Sequence, residues 1–428
     1  MMMKRLTSLL FLLLLVTASS HAASFNDDIR PILADRCFAC HGPDSAARKA
    51  DLRLDQEQFA TAQLGDSGVF PIVPGKPENS AIIQRLKSHD PDEVMPPPES
   101  KITVSKKEIA LIEEWITDGA EWQRHWAFIP PQKATLPAVN NITWSRNLID
   151  PFILTKLETQ NLKPAAPADK AHLLRRLHFD LTGLPPGITQ LDAFLADKSE
   201  DAVTRVVDQL LASPAFGERL ALEWLDVARY GDTDGLFEDH PRSIYPWRDW
   251  VVSAFNQNLP YNDFIKWQLA GDLLPEASQE QKIATGFLRN NPTSNEGGII
   301  DEDYRIKYLI DRINTTSTVF LGLTMECSQC HDHKFDPMTQ REYYQMGGFF
   351  NSLVGKGNTK GSTEPTLKML PPEQEQRLAK IDLEIKPVEK TLGETPPQLN
   401  QDFESWLAEL AKPIDLSLIH ISEPTRPY

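Results

Sequence analysis

The chain has 428 residues, enough for two or three domains, and an ordinary apolar share of 41%. Its net charge of −16 sets it against nucleic acid and anionic lipid, which an acidic surface repels. The 33 prolines point to many irregular connections and extended linkers.

Residues 1–23 read as a cleaved signal peptide. Lys4 and Arg5 give a positive start, Leu9 to Val16 is an unbroken apolar run, and Ser20-His21-Ala22-Ala23 offers small residues for cleavage. The apolar core is too short to span a bilayer comfortably, although an uncleaved anchor is the rival reading. No other stretch is apolar enough to cross a membrane, so the mature chain is expected to have no transmembrane segment. Export predicts a periplasmic or secreted protein and disfavours cytosolic zinc or thioredoxin chemistry for the cysteines.

Residues 24–125 read as the first domain. A helix from Asp27 to about Ala39 puts Ile29, Ile32 and Leu33 on one face and leads into Cys37-Phe38-Ala39-Cys40-His41. Cys-x-x-Cys-His is the spacing of covalent c-type haem attachment. Two thiolates form thioethers to the porphyrin vinyl groups and the adjacent histidine binds the iron. Two intervening residues set both sulfurs on one side of a helical turn, and the next residue can aim its imidazole at the ring centre. A Gly- and Pro-rich loop follows, then a helix over 80–87 turning Ile82, Ile83 and Leu86 inward. Val94-Met95-Pro96-Pro97-Pro98 comes next. A capping box, Ser105 to Glu108, opens the last helix, which buries Ile109, Ile112, Trp115 and Ile116. Terminal helices flanking a haem motif and a late methionine are the plan of a class I cytochrome c. Met95 is the expected sixth iron ligand, its soft thioether held by the prolines after it. His89 is the rival ligand, and Met95 as a packing residue is the plainer alternative.

Residues 126–147, with Pro130, Pro131 and Pro137, read as a semi-rigid linker. Residues 148–354 read as a larger helical domain. Helical spacing predicts helices over 150–160, 170–179, 201–212 (burying Val203, Val206, Val207, Leu210 and Leu211), 214–230, 247–255, 261–269, 279–287 and 302–321. An acidic loop, Asp232, Asp234, Glu238, Asp239 and His240, is a possible substrate or metal site, against the plainer reading of a solvated turn. Asn295 to Gly298 and Asp301 to Asp303 join it only if folding brings them together. It lacks the glutamate an EF-hand requires.

The second motif, Cys327-Ser328-Gln329-Cys330-His331, uses the remaining two cysteines. It fits a second haem on His331. Two thiolates with His331 and His333 also offer a tetrahedral zinc set, although the histidines are closer than finger-type spacing. A disulfide or free thiols are the third possibility. Met325, Met338, Met346, His240 and His333 are all conceivable sixth ligands. His333 lies too near His331 to reach the opposite ring face easily and is expected to hydrogen-bond behind it. Residues 355–415 read as a flexible and helical connector to a domain beyond it, with Leu378, Ile381 and Ile385 forming a narrow stripe. Residues 416–428 resemble translated adapter sequence and carry no fold expectation.

The run Ile29 to Leu33, Cys37 to Pro43, Met95-Pro96-Pro97 and the Trp115 to Trp122 helix end resembles the planctomycete-type cytochrome c domain. The stretches His178 to Pro186, Trp224 to Tyr230, Tyr245 to Trp250, Gln268 to Asp272 and Asn314 to His333 resemble the uncharacterised domain that usually follows it. The resemblance implies haem c binding and electron transfer outside the cytoplasm, in a family whose members usually continue into a further large domain. It implies no substrate.

The expectation is a mainly α protein, a class I cytochrome c-like domain followed by a larger helical one. It is expected to be an exported dihaem cytochrome that exchanges electrons with redox partner proteins, alone or within a larger redox enzyme, rather than a stand-alone catalyst. The alternatives are a dihaem peroxidase, an oxidoreductase directed at a carbohydrate on the acidic loop, and a monohaem binding module with zinc or thiols at the second motif.

Overall fold

The computed structural model describes residues 23–359, 365–394 and 396–412. The leader except Ala23, and the segment 416–428, lie outside them. The described residues are mainly helical and contain no strand, only three isolated bridges. None of their helices is long and apolar enough to cross a membrane. Two units separate, one up to Pro365 and one from Thr366.

In the first unit the chain starts with a π-helical turn, Phe25–Ile29, capped by Ser24 and running straight into Arg30–Arg36. The turn buries Phe25 and Ile29, and the helix buries Ile32 and Leu33. These pack on Ile112, Trp115 and Ile116 of the Lys106–Thr117 helix. Phe25, Trp115 and Trp122 form an aromatic cluster with centroids 4.4–5.6 Å apart. The two ends of this domain are therefore held together by one apolar core. The predicted capping box is formed: Ser105 N–H donates to Glu108 at 2.6 Å, and Glu108 N–H donates to Ser105 Oγ at 3.2 Å. Ile109, expected inward, is only half-buried because it lies in the first turn, before the helix meets the core.

The larger helical region has its own core. The Tyr245–Asn256 helix contributes Trp247, Trp250, Val251 and Ala254, which meet Phe264, Phe287, Ile313, Tyr343 and Phe350. The Pro214–Val227 helix packs along it at Gly217, where a Cβ would sit 2.5 Å from the Asn256 amide. The helix expected over 279–287 ends at Ala284 and tightens into a 3-10 turn, Thr285–Arg289. The one expected over 302–321 runs Asp301–Thr316 and then widens into a π turn. Helices Ile188–Ala196 and Gln340–Gly348 are additional to those expected; the first carries Ile188, Leu191 and Phe194 at helical spacing over only nine residues, and the second has few apolar positions. The 201–212 helix is observed as Ala202–Leu211, but it buries only Ala202 and Leu210. Val203 and Leu211 stay exposed because the small core around Leu174 and Phe194 covers one narrow stripe.

In the second unit, helix Pro372–Gly393 runs through Pro387. The ring removes one backbone donor, and water can satisfy the carbonyl left behind on an exposed helix. Leu378, Ile381 and Ile385 are exposed along it. A second helix, Pro397–Leu410, follows.

Candidate functional site

The first motif sits on a break between two helical pieces. Cys37 ends Arg30–Arg36 and caps the short Phe38–His41 helix. All four cysteines are unpaired thiols. Burial, with Cys40 close by, pushes the Cys37 thiol up to about 12, so it stays protonated. His41 Nδ1 lies 3.2 Å from the Lys49 carbonyl. A carbonyl only accepts, so Nδ1 carries the proton and Nε2 keeps a free lone pair. Burial lowers the His41 pKa and keeps the ring neutral, as a metal ligand requires. The chain then folds back tightly. A Cβ on Gly42 would lie 2.4 Å from the Phe38 carbonyl oxygen, so only glycine fits there. Lys49 N–H bonds to the Cys40 carbonyl and Leu54 N–H to the His41 carbonyl, both at 2.8 Å, which clamps the loop onto the motif.

Met95 hangs from the end of the Ala81–Lys87 helix. Its N–H donates to the Arg85 carbonyl at 3.1 Å, and Arg85 Nη1 reaches Glu93 O at 3.1 Å. The Arg85 charge is also felt at His41. One residue thus anchors the methionine loop and neighbours the imidazole. Two free thiols, an imidazole with Nε2 available and a thioether on an adjoining loop form the donor set that haem c takes. His89 is solvent-exposed.

The second motif is built differently. Glu326–Gln329 is a 3-10 turn that leaves Cys327 and Cys330 exposed and buries Ser328. The Gln340–Gly348 helix supports it: Gln340 Nε2 and Tyr344 OH both donate to the Gln329 carbonyl, at 3.1 and 3.0 Å. His331 Nδ1 lies 2.7 Å from the Asp332 carbonyl, so its Nε2 is the free nitrogen. His333 points inward. Its Nδ1 accepts N–H bonds from Asp336 at 2.9 Å and Phe335 at 3.3 Å, which shapes the turn behind the motif. Met325 and Met338 are buried in the apolar core, and Met346 packs against it. His240 is paired with Glu238 at 2.9 Å on an exposed loop. Among the described residues, no three metal-capable side chains gather as a metal site, at this motif or at the acidic loop.

The fold brings the two motifs side by side. Asp44, three residues beyond His41 and 5% exposed, places its carboxylate 3.7 Å from His331 Nδ1. Arg30, from the helix that leads into Cys37, donates to Phe335 O at 2.9 Å and pairs with Asp336 at 3.5 Å. His125 Nε2 donates to the same Asp336 carboxylate at 3.1 Å. Asp44, His125 and Asp336 belong to no motif, Arg30 lies in the Ile29 to Leu33 run with no role read for it, and sequence reasoning missed what the four do. The charged residues set into the loop after each Cys-x-x-Cys-His were the available signal.

The acidic loop bonds mostly to itself. Asp232 accepts from Tyr230 OH, Asp239 Oδ1 accepts from Gly235 N–H at 2.6 Å, and Asp234 Oδ1 accepts from Thr293 Oγ1 at 2.9 Å. Folding does bring the segment before Asn295 to this loop, through Thr293 N–H to the Asp234 carbonyl at 2.8 Å. Arg242 ties both together, donating to the carbonyls of Gly231, Arg289, Asn290 and Asn291 at 2.9–3.3 Å. These bonds support a structural role for the loop's acids.

Comparison with known proteins agrees with this division. Residues 37–99 match the family described as Planctomycete cytochrome C. Residues 148–354 match the family described as Protein of unknown function (DUF1549). No curated protein and no solved structure matches the chain. The first match implies haem c binding, which the donor set at Cys37, Cys40 and His41 fits. The chain thus matches two family models in turn, the planctomycete cytochrome c model over 37–99 and then DUF1549 over 148–354.

Proposed function

We propose that the protein is an exported dihaem c-type cytochrome that relays electrons between a haem at Cys37, Cys40, His41 and Met95 and a second at Cys327, Cys330 and His331. The observation that carries the reading is the contact between the motifs, Asp44 against His331 with Arg30 and His125 on Asp336. A bound haem supplies reversible one-electron chemistry at its iron, and the protein tunes potential and spacing. The chain's part is positional. The Lys49 and Asp332 carbonyls hold His41 and His331 as the tautomer with Nε2 free. The Met95 loop, hung from Arg85, offers a thioether, and such ligation raises the potential. Export supplies the compartment in which attachment occurs, and the acidic surface suits a basic redox partner protein.

A haem stain surviving denaturation, with a pyridine haemochrome ratio of two haems per chain, is the expected result on exported protein. One haem per chain would return the second motif to zinc or thiol. A second reading is favoured by the burial of Met325 and Met338 in the core. It gives the second iron an open face and makes the protein a dihaem peroxidase, marked by a high-spin ferric spectrum and peroxide turnover.

A further inference from the structure

Charge at the seam is not shared evenly between the two motifs. Asp44 lies in the loop after His41, yet its carboxylate faces the other histidine. Its side chain is 6% exposed, and Oδ2 sits 3.7 Å from His331 Nδ1. Its Oδ1 accepts the Ala46 N–H at 3.0 Å, which fixes the direction of the side chain. Among the described residues Asp44 forms no ion pair with a lysine or arginine. Arg48, a cation of the same loop, gives its guanidinium to the Gly42 and Pro43 carbonyls at 3.2 and 2.8 Å. The other seam carboxylate, Asp336, is met by Arg30 at 3.5 Å, so a cation already answers its charge.

Around His41 the sign is opposite. Its Nδ1 faces the Lys49 carbonyl, no carboxylate pairs with it among the described residues, and the charge felt there is that of Arg85. Arg85 is exposed, so water screens it, and the buried Asp44 is the stronger of the two influences.

A fixed negative charge behind an axial imidazole makes the ring a stronger donor and favours the ferric state, which carries one more positive charge. A cation does the reverse. Asp44 acts by its field and not as a hydrogen-bond partner, because His331 Nδ1–H is already given to the Asp332 carbonyl at 2.7 Å. Its burial is what lets that field reach the ring with little screening.

We propose that Asp44 is a positioning residue lent by the cytochrome domain to the second motif, where its buried carboxylate acts through His331 and makes the second haem the lower-potential member of the pair. This role deepens the dihaem reading and rests on it. Met95 works in the same direction from the first site, because thioether ligation raises the potential there. The first electron the chain takes up then resides at the His41 site, and the His331 site fills last.

The test is spectroelectrochemical titration of the haem-loaded full chain, with the haem count measured on every sample. Wild type should give two one-electron waves, and the Cys327→Ala/Cys330→Ala variant should retain the upper one, which identifies it with the first site. Asp44→Asn keeps the oxygen that accepts Ala46 N–H and removes the charge. It should raise the lower wave by about tenfold in the reduction equilibrium, about 59 mV for one electron, and leave the upper wave in place. Asp51→Asn, at an exposed position of the same loop, should move neither wave. A lower wave unmoved in Asp44→Asn, an equal rise in Asp51→Asn, or retention of the lower wave in the cysteine variant overturns the proposal and leaves the dihaem reading intact, because two haems are still counted. One haem per wild-type chain overturns both.

Discussion

At the residue scale, each motif histidine is prepared by one hydrogen bond. Lys49 O and Asp332 O each accept a hydrogen bond from Nδ1–H and leave the Nε2 lone pair free. Met95 is then the side chain whose loss is most readily seen. Met95→Ala should abolish the weak thioether-to-iron absorption band at the red end of the oxidised spectrum, and a band of unchanged strength rules the ligand assignment out. Gly42 is the tightest backbone position beside the first motif, 2.4 Å from the Phe38 carbonyl for any added Cβ. Gly42→Ala should destabilise the domain by roughly 1–3 kcal/mol, since backbone rather than a flexible side chain must yield. Chemical denaturation compared with wild type measures it.

At the element scale, the first domain closes on itself through its end helices. The capping box at Ser105 fixes where the second of them begins. Ser105→Ala should cost about 1 kcal/mol, and Glu108→Ala in the same background should add a further loss, because the N–H that Glu108 accepts from residue 105 is backbone and Glu108 also pairs with Arg36 at 3.3 Å. A double-mutant cycle on melting free energies reads this directly. These features were legible from local pattern: Ser-x-x-Glu before an apolar run, Ile29, Ile32 and Leu33 on one face, and the two Cys-x-x-Cys-His spacings. Burial was less legible. Val203 and Leu211 follow the right period but find no partner element, and Met325 and Met338, plausible as ligands, are taken by the core. Which residues meet across the fold was not legible at all. Arg30 and Phe335 are 305 residues apart, and Arg242 reaches the carbonyls of Arg289 and Asn290 from 47 and 48 residues away. Periodicity carries no information on pairings of that range.

At the scale of the whole molecule, the cytochrome domain and the second motif share a polar seam around Asp336. Burial holds His125 below the ordinary histidine value of 6.5, so the fold keeps its neutral form, which donates Nε2–H to Asp336. The sign follows: the unfolded chain binds the proton more readily, so this contribution is complete above pH 6.5 and is lost as pH falls below it. Melting should therefore move to lower temperature between about pH 7.5 and about pH 5.5, and His125→Gln should flatten that fall. An equally steep fall in the variant would remove His125 from the seam's pH response. The same seam sets Asp44 against His331, the contact on which the proposed relay between two haems rests.

The central claim is tested most directly by the haem-to-protein ratio of the exported chain, measured for wild type and for a Cys327→Ala/Cys330→Ala double variant. Two haems falling to one is the predicted result. One haem in both proteins contradicts a second site, and colourless protein from a host competent in haem attachment contradicts the whole reading.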